Sequence, residues 1–81
     1  MANLEQLREV FREALDLPAD TPVDRLEYRA IDQWDSLAHM ALVAALEQRF
    51  DVMIDTEDVL GLSSFEQARK ILERQGVDFP A

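Results

Sequence analysis

The side chain of this sequence best placed to do chemistry is the hydroxyl of Ser36, held between Asp35 and Leu37. A run rich in apolar residues and free of glycine and proline follows, so the serine falls where a helix should begin, with Asp35 as its N-cap. Three uses of a serine in that place come into question. It can be an ordinary cap or first-turn residue. As a hydrolytic nucleophile it lacks both the glycine-flanked turn of serine hydrolases and an evident histidine partner. The third use is as the anchor of a phosphate ester, because the open N–H groups and the dipole at a helix start stabilise negative charge.

The remaining reactive side chains offer less. His39 is the sole histidine, and its position in an apolar stripe points to a structural role. Asp51, Asp55, Glu57 and Asp58 cluster in sequence, but an EF-hand loop needs glycine at its sixth position, where Thr56 stands. With no cysteine there is neither a disulfide framework nor a thiolate ligand set. We expect no catalytic residue and no resident metal.

The elements that must position Ser36 follow from periodicity. Residues 3–16 place Leu4, Leu7, Val10, Phe11, Ala14 and Leu15 on one helical face, with Pro18 just past the end. Residues 17–35 have no clean period, yet Leu17, Val23, Leu26, Tyr28 and Ile31 predict a connection pinned across a core, with a short helical turn near Asp24–Tyr28. A second helix is predicted from Ser36 to Phe50. Residues 51–55 read as a loop, and Thr56 as the cap of a short helix through Leu60 that stops at Gly61. A last helix opens at Ser63-Ser64, where Ser64 with Gln67 or Ser63 with Glu66 fits a capping box. Phe65, Ala68, Ile71 and Leu72 form its buried stripe, and Gly76 and Pro80 mark a frayed tail. The expected architecture is all-α: a small four-helix bundle of three main helices and one short one, with a long first loop.

At 81 residues the chain holds one small domain with one core. Seventeen acidic against eight basic residues give a net charge of −9, which argues against nucleic acid and anionic membranes as partners. It favours salt-sensitive encounters with basic protein surfaces. No apolar run is long enough to span a bilayer, and no signal-peptide pattern opens the sequence, so a cytoplasmic monomer is expected.

The second helix is apolar on two sides. With Ser36 at the origin of a helical wheel, His39, Leu42, Val43, Leu46 and Phe50 span an arc of roughly 100°, as a core face does. Leu37, Met40 and Ala44 fall on a different side, bordered by Glu47 and Gln48, while Ala38, Ala41 and Ala45 take the back. The second patch fits a transient docking surface. It fits equally well a pair of residues, Leu37 and Met40, packed under the long first loop.

Over its whole length the sequence resembles the acyl carrier protein family, with its peptidyl and aminoacyl relatives. Asp35-Ser36-Leu37 matches the family's DSL attachment motif. Leu42, Val43, Ala45, Leu46, Glu47 and Phe50 match the LVxALExxF pattern at the expected distance, and Asp51–Asp55 with Thr56-Glu57-Asp58 resembles the loop and short third helix. The resemblance implies a single carrier domain over residues 1–81 that is not itself an enzyme. It implies 4′-phosphopantetheine on Ser36, installed from coenzyme A by a phosphopantetheinyl transferase whose metal site Asp35 helps to order. It further implies partner enzymes that load and transfer acyl or aminoacyl cargo, docking on Leu37, Met40, Ala44 and Glu47. A cargo lining would include Leu42, Leu46, Ile54, Leu62, Ala68 and Ile71. The alternative is an acidic helical adaptor of the same fold without a prosthetic group.

Two departures from the fatty-acid members stand out. Ala38, Ala41 and Arg49 interrupt the acidic second helix, leaving Glu47 as its only carboxylate after Asp35, and Trp34 takes the place of a small residue before the motif. "WDSL" followed by His39-Met40 is closer to stand-alone carriers of polyketide, nonribosomal-peptide or aminoacyl pathways.

Overall fold

A computed structural model describes residues 3–79. They form four helices, α1 (Asn3–Ala14), α2 (Ser36–Phe50), α3 (Thr56–Gly61) and α4 (Phe65–Arg74), as the four-helix reading expects. Among the described residues no helix is long and apolar enough to cross a membrane.

One core joins all the segments. Leu7, Val10, Phe11 and Leu15 meet Leu42, Val43 and Leu46 of α2 and Phe65, Ala68, Ile71 and Leu72 of α4, with Val23, Trp34, Ile54 and Leu62 entering from the connections. Phe11 sits at its centre, its ring edge-to-face with Trp34 at 5.4 Å and with Phe65 at 5.0 Å. Deleting an aromatic so enclosed costs about 3–5 kcal/mol. The short helix α3 buries no residue of its own, so its neighbours Ile54 and Leu62 do the anchoring.

Helix starts are set by side-chain caps. Asp35 Oδ1 accepts from Ala38 N at 2.9 Å, as the expected N-cap of α2, and Ser64 Oγ from Gln67 N at 3.1 Å, which decides between the two pairs open for α4. The third cap differs from expectation: Asp55, rather than Thr56, accepts from Asp58 N at 2.9 Å, and Thr56 becomes the first helical residue. Both residue types cap well, and an aspartate one position earlier takes the role.

Helix ends share a device. After α1, α2 and α4 a residue turns left-handed, at Asp16 (φ 57°), Asp51 (φ 55°) and Gly76 (φ 98°). The next N–H then reaches back five residues, from Leu17 to Arg12 O, Val52 to Glu47 O and Val77 to Leu72 O. Helix α1 therefore stops at Ala14, short of the residue 16 expected. The turn at Gly76 folds the tail inward: Val77 and Phe79 pack on the core, with Phe79 6.1 Å from the Phe50 ring. That tail is not frayed as far as it is described; Pro80 lies outside the described residues.

The long first loop is pinned along its length. Arg8 clasps both Asp24 oxygens at 2.8 Å, and Arg12 Nε donates to Thr21 O at 2.9 Å. Val23 and Trp34 are buried completely. In place of the helical turn expected near Asp24–Tyr28 there is one tight turn, Leu26 N to Val23 O, and then extended backbone at Glu27 bridging Ser64. Tyr28 N donates to Ser63 O and Phe65 N to Leu26 O, so this loop is stitched to the start of α4.

Candidate functional site

Ser36 is the first residue of α2, exposed, with its hydroxyl at the open end of the helix. Asp35 commits one carboxylate oxygen to Ala38 N, and its carbonyl accepts the first helical bond from His39 N at 2.8 Å. The N–H groups of Ser36 and Leu37 precede that first bond and face outward along the axis. Two groups absent from the expected site converge on the hydroxyl. Tyr28 OH lies 3.2 Å from Ser36 Oγ, and Arg29 Nη2 donates to Oγ at 3.3 Å. The guanidinium also stands 5.5 Å from the Tyr28 ring centre. Arg29, and then the bond with Ser36, hold the Tyr28 phenol below the usual tyrosine range. The phenol in turn raises the Arg29 guanidinium.

His39 does not serve Ser36 as a general base. The indole N–H of Trp34 donates to His39 Nδ1 at 3.0 Å, which leaves the ring proton on Nε2 to donate to Val59 O at 2.9 Å. Both nitrogens are engaged, and the ring, half-buried and stacked on Trp34, ties α2 to α3. The hydroxyl is accessible and stands beside a guanidinium and a phenol, with His39 engaged elsewhere.

The expected docking residues separate on inspection. Leu37 is 82% exposed and Met40 56%, so neither is packed under the first loop; Ala44 is exposed on the same helix. Glu47 is half-buried, and its Oε2 accepts from Ile54 N at 2.9 Å, bracing the α2–α3 connection. Leu60, read in the sequence only as the end of the short helix, is 79% exposed and lies with Met40 on an open crevice of about 290 Å³ that begins at Ser36 and Tyr28 and runs between α2 and α3 past His39, Val59 and Leu62. Of the six expected cargo-lining residues, Leu62 alone borders this crevice; Leu42, Leu46, Ile54, Ala68 and Ile71 are buried among other core side chains.

The model of a family described as "Phosphopantetheine attachment site" matches residues 5–72. The chain belongs to that family. Its prosthetic group is accordingly 4′-phosphopantetheine, and the carrier's architecture agrees. A solution NMR structure of a holo acyl carrier protein from Geobacter metallireducens superposes with a TM-score of 0.77, covering 93% of this chain and 86% of that one at 24% identity. That likeness shows a shared fold. A comparison with curated protein sequences finds no match.

The residues at the start of α2 suit such a group. Ser36 is an exposed hydroxyl, and a phosphodiester on it would meet helix N–H groups, a guanidinium and a phenol.

Proposed function

We propose that this protein carries acyl or aminoacyl intermediates as thioesters on a 4′-phosphopantetheine arm attached to Ser36, and presents them to partner enzymes of a specialised pathway. The observation that carries the reading is the exposed Ser36 hydroxyl at the open end of α2, beside a cation and with His39 engaged elsewhere. It needs a second protein to activate it. In a transferase's metal site, which Asp35 helps to order, the Ser36 oxygen attacks the β-phosphate of coenzyme A. The new O–P bond forms as the pyrophosphate bond breaks, adenosine 3′,5′-bisphosphate leaves, and the serine proton passes to the transferase. The arm supplies a flexible reach and a terminal thiol.

Leu37, Met40 and Ala44, with Leu60 across the crevice, form the apolar part of the docking surface, and the net charge of −9 favours partners with basic faces. The specialised role is supported by Trp34. Its indole fills the interior beneath the attachment site and is completely buried, and the intended cargo lining is occupied by core contacts. A long chain would have to displace that packing, which favours a cargo held outside the bundle. Incubation with coenzyme A, Mg²⁺ and a broad-specificity transferase should add the mass of one phosphopantetheine to the wild type and nothing to Ser36→Ala. An equal gain in the variant would move the attachment elsewhere.

A further inference from the structure

Arg29 is placed at a conformational expense. Its φ of 66° is in the left-handed region, which side chains other than Gly, Asn and Asp seldom occupy. The segment around it leaves little choice: Tyr28 N is fastened to Ser63 O at 2.8 Å, and Ala30 N closes a turn onto Glu27 O at 2.9 Å. The result brings the Arg29 guanidinium back over the Tyr28 ring and onto Ser36.

Its partners are unlike those of most other arginines. Arg8, Arg12, Arg49, Arg69 and Arg74 each pair with a carboxylate, whereas Arg25, like Arg29, forms no ion pair among the described residues but has no partner at Ser36 either. Among the described residues Arg29 forms no such pair, although the chain holds seventeen acidic side chains; it meets a neutral hydroxyl and an aromatic face. A guanidinium gains little from a hydroxyl at 3.3 Å and much more from a phosphate oxygen. Two bonds beyond Ser36 Oγ, past the phosphorus, the prosthetic group would offer it such an oxygen.

We infer that Arg29 and Tyr28 form a clamp for the phosphodiester on Ser36, with the guanidinium and the phenol donating to its non-bridging oxygens from one side and the α2 N-terminus from another. This rests on the assignment of the arm to Ser36. The clamp fixes the root of the arm and leaves its distal end free to travel. Arg29 and Tyr28 are positioning residues for the arm, and neither takes part in a bond change.

Phosphorus NMR of the loaded protein tests it, after intact mass has established that Ser36 is modified. In the wild type the single phosphodiester resonance should relax with the tumbling of the whole protein. In Arg29→Gln it should sharpen, the clamped fraction falling roughly two- to fivefold as for an exposed charge pair. Raised salt should reproduce the effect in the wild type. Tyr28→Phe should give a smaller change, and Arg29→Lys should keep part of the restraint, since it retains the charge but not the fork. Full loading with identical phosphorus relaxation in the wild type and Arg29→Gln overturns the clamp and leaves the Ser36 assignment intact. Slower loading of Arg29→Gln with unchanged relaxation overturns it too, and assigns Arg29 to transferase recognition. Failure of the wild type to load removes the Ser36 assignment, and the clamp with it.

Discussion

The indole N–H of Trp34 donates to His39 Nδ1 at 3.0 Å, and the imidazole passes the connection on to Val59 O at 2.9 Å. One histidine thus satisfies a completely buried indole and holds a helix that buries no side chain of its own. His39→Phe keeps the stacking but strands the indole donor, which should cost about 1–3 kcal/mol. The measurements are urea unfolding and amide exchange of α3, with His39→Gln, which keeps an acceptor, recovering part of the loss. Unchanged α3 exchange in His39→Phe would show that Ile54 and Leu62 hold the helix alone.

A second prediction concerns acid. Arg8 donates to both Asp24 oxygens and holds that carboxyl below the usual range, against a weaker opposing effect of burial. A carboxyl lowered by folding contributes stability at neutral pH. The contribution shrinks once the unfolded carboxylate protonates, near about pH 3.9, and is gone below the folded group's lower value. Asp24 is about half exposed, so solvent screening limits the effect to ~0.2–1 kcal/mol. Asp24→Asn should be less stable than the wild type by that amount at pH 7, and the gap should close in strong acid. A gap that persists in acid would mean that the asparagine disturbs the loop for reasons other than charge.

The docking surface gives a third. Leu37 and Met40 project from α2 with little burial, so a glutamate at either position should change stability by no more than ~0.5 kcal/mol. Loading of Met40→Glu by a partner enzyme should nevertheless slow markedly, with helicity intact by circular dichroism. Wild-type loading rates in both variants would take the patch out of recognition.

Much of this could be read from the sequence, and most exceptions share a cause. Asp35 and Ser36 mark the start of α2, and the wheel separates Leu42, Val43 and Leu46 from Leu37, Met40 and Ala44; local spacing decides those features and the fold respects it. Periodicity also placed α4, and the capping pattern narrowed its cap to Ser63 or Ser64. What it could not show depends mostly on contacts between distant segments or on rare backbone. The approach of Tyr28 and Arg29 to Ser36 requires the Glu27–Ser64 bridge and a left-handed Arg29. The bond from Trp34 to His39 spans only five residues, but periodicity gives no sign of which polar partner a buried indole takes. The inward tail depends on a turn at Gly76 that composition alone presents as a stop.

Glu47 makes that contrast testable. The wheel sets it on the border of the docking patch, whereas its carboxylate accepts the Ile54 N–H at 2.9 Å from the loop that leads into α3. A charged acceptor on a half-buried backbone donor is worth about 1.5–3 kcal/mol, and removing it leaves the donor in poor contact with water. Glu47→Ala should therefore lower stability by about 1–2 kcal/mol and speed amide exchange at Ile54. Glu47→Gln keeps an oxygen acceptor and should recover most of that loss while deleting the charge. The pair of variants thereby separates support of the loop from attraction of partners. If Glu47→Gln is as stable as the wild type but its partner affinity loses part of its salt dependence, Glu47 serves both; equal salt dependence confines it to the loop. Full stability in Glu47→Ala would show that the Ile54 contact contributes nothing.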